Sequence, residues 1–217
     1  MQERAVRTRQ ALLAAAADEF AEHGYEGASF QGVVWRAATS IGSLTFHFGT
    51  KTTLAEEVHR AGHARVGRCL EAVAAPADPL RGLTGLIGRL ARLAHEDPFV
   101  RAAHRLEADG RPGGVPPLAE IWLPVLRELL DRAHRARRLR PGVSLEDAVA
   151  LLAHLADGAM GARDATRDAV WDIVLHGLAA DRTGRMDRMD RAGRTDLADQ
   201  AERADRADSM WCGSEPT

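Results

Sequence analysis

The apolar positions of this chain fall at three- and four-residue intervals, and their breaks divide it into helices. Leu12, Leu13, Ala16 and Phe20 mark one buried stripe of a first helix over about residues 3–23. Gly24 is a left-handed stop, and Tyr25 can pack back onto the helix it ends. Ser29 reads as the N-cap of a short second helix with Phe30, Val33, Val34 and Ala37 on its inner face. A turn at Ala38-Thr39 leads to Ser40, a second N-cap candidate, and to a third helix ending near Phe48. Gly49-Thr50-Lys51 breaks the chain before a long fourth helix over about residues 52–75. Proline and glycine then punctuate further helices at about 80–95, 98–109, 117–138, 144–163 and 167–180. Residues 181–217 change character: Arg182, Arg185, Arg188, Arg191 and Arg194 recur among aspartates with few apolar anchors, a low-complexity charged tail.

The order of long helix, short helix, tight turn and second short helix is that of a helix-turn-helix DNA reader. Composition agrees with an all-α fold: alanine, leucine and arginine dominate, and aromatics are 5% of 217 residues. The expected architecture is an amino-terminal three-helix helix-turn-helix domain over 1–51, a larger helical ligand-binding and dimerisation domain over 52–180, and the tail. The net charge of −2 looks wrong for a nucleic-acid binder until it is divided. Residues 29–51 carry Arg36 and Lys51 and no acid, and residues 1–10 carry Arg4, Arg7 and Arg9 against Glu3. Asp18, Glu19, Glu22 and Glu26 crowd into residues 11–28 without a base, so the positive charge sits with the turn-helix pattern. Cys69 and Cys212 have no metal-type spacing, no apolar run approaches a membrane span, and nothing resembles a signal peptide; a cytoplasmic protein is expected.

Chemistry at the front of the motif belongs to short side chains. Ser40, Ser43 and Thr45 carry hydroxyls able to reach phosphates or base edges, and Ile41 suits a thymine methyl. For Ser40, pure capping is an equal alternative. Lys51, the only lysine, opens the fourth helix, where its charge and the free amides of the helix start can meet a phosphate. His47, between Phe46 and Phe48, points either to the DNA backbone or into packing; Arg7 adds a phosphate or minor-groove contact or stays solvated. One short recognition helix makes few contacts, so a homodimer reading two half-sites of a pseudo-palindromic operator is expected. Leu151, Leu152, Leu155, Val170, Trp171, Val174 and Leu175 offer apolar faces for such pairing or for the chain's own core. His59 and His63, four apart near Glu56, lack a third metal ligand and read as a solvated face. No nucleophile motif or phosphate loop emerges; the chain is read as no enzyme, with no cofactor and no metal.

The residues Ala15–Tyr25, Ala37-Ala38-Thr39-Ser40-Ile41-Gly42 and Leu44-Thr45-Phe46-His47-Phe48, with Lys51 and Leu54, resemble the TetR family of transcriptional regulators. Through the middle, Glu96-Asp97-Pro98-Phe99-Val100-Arg101-Ala102, Arg105-Leu106 and Trp122 resemble one branch, the γ-butyrolactone autoregulator receptors. The resemblance implies a DNA-binding repressor released from its operator by a small effector of butyrolactone-like type. It places Trp122, in the stripe Leu118, Ile121, Trp122, Val125 and Leu129, in the effector pocket, with Gly62 and Asp157 where the receptors often carry polar uncharged side chains. The sequence departs from the family at Ala38, usually glycine, at Ile41, usually basic, and at Thr45, usually tyrosine. Gly32 lies inside the second helix at a cost of about 1 kcal/mol relative to alanine. Two other readings follow: a receptor-like regulator answering to an antibiotic or intermediate, at which Gly62 and Asp157 hint, and a helical ligand-binding antagonist with a decayed DNA-binding head, suggested by Ala38, Ile41 and Thr45.

Overall fold

The computed structural model describes residues 2–71, 77–111, 114–161, 173–174 and 177–179. Eight helices run through them: α1 Gln2–Gly27, α2 Phe30–Arg36, α3 Ile41–Phe48, α4 Lys51–Glu71, α5 Pro79–Glu96, α6 Pro98–Ala108, α7 Ala119–Arg135 and α8 Leu145–Gly161. The expected ends of the first six hold to within a few residues, because local signals set them, except that the end expected for the fourth, at residue 75, lies outside the described residues. Gly24 takes φ 68 and kinks α1, after which one more helical turn forms. The Phe20 and Tyr25 rings stack across that kink, 6.2 Å apart and 5° from parallel. Ser29 and Ser40 both cap as expected, accepting from the amides of Gly32 and Ser43. Asp97 caps α6 through the amides of Phe99 and Val100, with Pro98 at its first position, where a missing N–H costs nothing.

Two apolar cores form. The first joins Leu12, Ala16 and Phe20 of α1, Val33 and Val34 of α2, Leu44 and Phe48 of α3, and Leu54, Ala55 and Val58 of α4. Ala102 and Leu106 of α6 complete it. The second gathers Val66 of α4, Val100 and Ala103 of α6, and the inner faces of α5, α7 and α8. Within α7 the buried face is Leu118, Trp122, Leu126, Leu129, Leu130 and Ala133; Ile121 and Val125, expected on it, lie half-buried at its flank. A feature the periodicity did not foresee closes this core: Leu139 pairs antiparallel with Ala179, and the Arg140 amide donates to the Leu178 carbonyl.

The candidate pairing face divides. Leu152 is buried in the chain's own core, Leu155 and Val174 are half-buried, and Leu151 stands exposed. Val170, Trp171 and Leu175 lie outside the described residues, as do the tail and most of the expected helix at 167–180.

Gly32 is no weakness of α2. A Cβ there would lie 2.1 Å from the Glu19 carboxylate, so glycine is what lets α1 and α2 close on that group. Ala38 is a real departure, holding φ 48 in the turn between α2 and α3. A left-handed alanine costs about 1–2 kcal/mol, part of which glycine's freer unfolded chain would offset. Ala38→Gly should therefore raise stability by about 0.5–1 kcal/mol, read as a higher urea midpoint at unchanged slope. A lower midpoint would mean that the turn is not strained.

Candidate nucleic-acid interface and effector core

Helix α3 stands on Leu44 and Phe48, both buried, and shows the opposite face to solvent. Ile41, Gly42, Thr45 and Phe46 are all exposed, Phe46 to 83%. Ser40 holds the start of the helix: its Oγ accepts from the Ser43 amide at 3.2 Å, leaving the hydroxyl proton free for one outward bond. Ser43 is half-buried. Thr45 turns its hydroxyl back, donating to the carbonyls of Ile41 and Gly42 at 3.0 and 3.2 Å. His47 is half-buried between its neighbours, edge-on to Phe46 at 5.2 Å. Trp35, on α2, is a further exposed aromatic at 82%, and sequence reasoning gave it no role.

Lys51 opens α4 as expected but is already engaged. Its ammonium donates to the Glu26 carbonyl at 3.3 Å and lies 4.9 Å from the centre of the Tyr25 ring. The Tyr25 hydroxyl hydrogen-bonds Thr52 at 2.9 Å, so the ends of α1 and α4 are fastened together. Arg7 remains largely exposed, with only a 3.9 Å ion pair to Glu3.

Two acids of α1 pair with Arg36 of α2. Glu19 is buried, accepts from the Ser29 amide, and pairs with the Arg36 Nε at 3.0 Å. Glu22 takes the other side of the same guanidinium. Hydrogen bonding by Arg36 holds the Glu22 carboxyl below its ordinary value of 4.5. At Glu57 of α4, burial pushes the carboxyl up, but hydrogen bonds from Arg9 and Arg60 outweigh it and the net direction is down. Three of the cations near the head, Arg9, Arg36 and Arg60, are thus spent on internal carboxylates.

Helix α6 connects the head to the second core. Its Phe99 and Ala103 press against Gly62 of α4: a Cβ on Gly62 would lie 2.6 Å from the Phe99 carbonyl oxygen and 2.8 Å from the Ala103 Cβ. Arg65 of α4 covers the Phe99 ring at 3.7 Å and pairs with Asp97 at 2.9 Å. Near the other end of α6, the Glu107 carboxylate meets the His59 Nε2 at 2.6 Å and accepts from the Leu118 amide at 2.7 Å through the same oxygen. Leu118 is the N-cap position of α7, and Trp122 follows one turn later. His59 is 1% exposed and its Nδ1 has no partner, so the solvated face expected for His59 and His63 is corrected: His59 belongs to a buried polar relay. At the end of α6, Asp109 accepts from the Tyr25 amide at 2.7 Å, clamping the kink of α1.

Of the residues expected at the effector site, Trp122 lies at the centre of the second core, 2% exposed. Gly62 permits the close crossing of α4 and α6. Asp157 stands at the surface of α8, its side chain 69% exposed, where His104 of α6 approaches it at 3.2 Å. A carboxylate left in solvent avoids the penalty of burial, which is why an acid is tolerated in that apolar helix. Among the described residues no helix is long and apolar enough to cross a membrane.

Comparison with known proteins follows this geometry. The model for bacterial regulatory proteins of the tetR family matches residues 12–58, which are α1 through the first half of α4. The A-factor receptor protein of Streptomyces griseus is 39% identical over 57 residues, 26% of this chain and 21% of that receptor, so the match spans about a fifth of the relative's length. Among solved structures, the TetR family protein CprB from Streptomyces coelicolor in complex with its biological operator sequence superposes with a TM-score of 0.68 at 26% identity. That alignment covers 90% of this chain and 99% of the other. A gamma-butyrolactone receptor, described as ArpA-like, gives 0.67 at 25% identity over 90% of this chain and 98% of its own. The fold is therefore an amino-terminal helix-turn-helix domain joined to a larger helical domain.

The Arg36–Glu22 pair gives a test of the head's electrostatics. Because the folded Glu22 is depressed, its stabilising share is complete above 4.5 and disappears as pH falls through the lowered value. The stability gap between wild type and Glu22→Gln, measured by urea unfolding across pH, should be present near neutrality and close in acid. A gap independent of pH would show that the pair contributes nothing.

Proposed function

We propose that this chain, a TetR-family regulator of the butyrolactone-receptor-like type, is a ligand-responsive repressor that reads a pseudo-palindromic operator as a homodimer and releases it when a small butyrolactone-like signalling molecule binds. In this reading residues 1–51 face DNA, residues 52–180 take the effector and pair the subunits, and the protein acts in the cytoplasm as a regulator, not an enzyme. Ser40, Ile41, Ser43, Thr45 and His47 meet the major groove and its phosphates, Arg7 and Lys51 the backbone, and Trp122 the effector. The observation that carries the proposal is the relay of α4, α6 and α7: Glu107 bonds at once to His59 of α4, whose start packs into the core under the recognition helix, and to the first amide of the helix that bears Trp122.

The mechanism is a population shift. An effector seated against Trp122 favours a placement of α7 and α6 that moves α4, and with it the spacing of two recognition helices. Linkage then requires the effector to bind the DNA-bound form more weakly by the factor it weakens DNA binding. The intact caps at Ser29 and Ser40 and the filled core under α3 support a working reading head over a decayed one. The second reading, a receptor-like regulator answering to an antibiotic or intermediate, keeps the same fold and differs in the effector.

A gel shift against the DNA upstream of the protein's own gene, with and without culture extract, tests the proposal. A specific complex released by extract is expected; no specific complex from folded, dimeric protein would contradict it. Trp122→Ala would empty a core site at a cost of about 3–5 kcal/mol, so Trp122→Phe is the informative change. It should retain the complex and blunt its release. Unaltered release would remove Trp122 from the effector site.

A further inference from the structure

The exposed face of α3 is apolar from end to end. Ile41, Gly42, Thr45 and Phe46 fall within an arc of about 140° at 100° per residue, and all four are exposed. Thr45 spends its hydroxyl on its own helix, so its methyl is what the face presents. A Cβ at Gly42 would meet only the Ser40 Oγ, at 3.9 Å, so nothing within the protein demands glycine at the middle of this strip. Phe46 is 83% and Ile41 39% exposed, which for a ring and a branched chain on one eight-residue helix is a surface lacking its partner. No side chain of this face has a hydrogen-bond donor free to read a base edge; the Thr45 Oγ1 keeps acceptor capacity alone.

Resting on the DNA-binding reading above, we propose that this strip selects thymine: Ile41, the Thr45 methyl and Phe46 recognise C5-methyl groups in the major groove, with Phe46 a specificity-determining residue. The groove is the occupant that fits. It admits one α-helix, and thymine is the base that presents an apolar group there. The segment around the strip, residues 29–51, carries Arg36 and Lys51 and no acid, so a phosphate-lined partner is not repelled. Gly42 lets the helix lie close to the bases between the two larger side chains. Ser40, with its free hydroxyl proton, and Lys51 at the start of α4 position the helix without reading sequence.

The test begins with selection of bound duplexes from a random pool by the full-length protein. The enriched site is then synthesised with uracil in place of thymine at each position, which deletes one methyl and keeps every hydrogen bond. Each thymine under the strip should cost the wild type about fourfold in affinity when demethylated, the value of one buried methyl group. Phe46→Ala and Ile41→Ala, both at exposed positions, should bind the thymine site more weakly and lose their sensitivity to uracil at one position each. Equal binding of thymine and uracil sites by the wild type overturns the proposal and leaves specific DNA binding intact. A uracil penalty that persists unchanged in both variants also overturns it, since the methyls would be read elsewhere. Failure to enrich any sequence overturns both this inference and the repressor reading.

Discussion

Helix α6 belongs to two cores at once, and the arrangement depends on that. Ala102 and Leu106 complete the core under the recognition helix, while Val100 and Ala103, on the other side of the same eleven-residue helix, enter the core around Trp122. Gly62 admits α6 so closely to α4 that neither can slide without displacing backbone. Close-packed interiors pass such displacements on instead of absorbing them. Glu107 adds a directional bond to each neighbour, to His59 of α4 and to the Leu118 amide of α7.

The head is organised by charge as firmly as by burial. Glu19 and Glu22 of α1 share the Arg36 guanidinium, Glu19 buried and Glu22 exposed, and Arg9 and Arg60 serve Glu57 of α4. Those pairings leave the recognition strip without carboxylates and also without free cations. In the proposed reading, affinity comes from two copies and selectivity from shape and methyl contacts, a different solution from a basic recognition helix.

How much of this the sequence revealed follows from the range of each interaction. The caps at Ser29, Ser40 and Asp97, the stop at Gly24 and the stripe of α1 act over one turn, and each is readable from adjacent residues. The buried stripe of α7 was legible to within one helical phase, which put Ile121 and Val125 inside when they flank. Gly62 looked like an absent polar group because its neighbour, Phe99, lies on another helix. His59 looked solvated for the same reason, since Glu107 is forty-eight positions away. Phe46 was hidden by its company: an aromatic run suggests packing, and only the helical phase fixed by buried Leu44 and Phe48 turns it outward.

The central claim is that the reading head and the Trp122 core are connected through Glu107, and amide hydrogen exchange at Leu118 tests it most directly. That amide donates to Glu107 and lies at the start of α7, away from the recognition helix. With the protein saturated by its selected DNA, the account predicts changed protection at Leu118 and the first turn of α7. In Glu107→Gln that response should vanish while DNA binding persists. Exchange at Leu118 that is the same with and without DNA would contradict the connection.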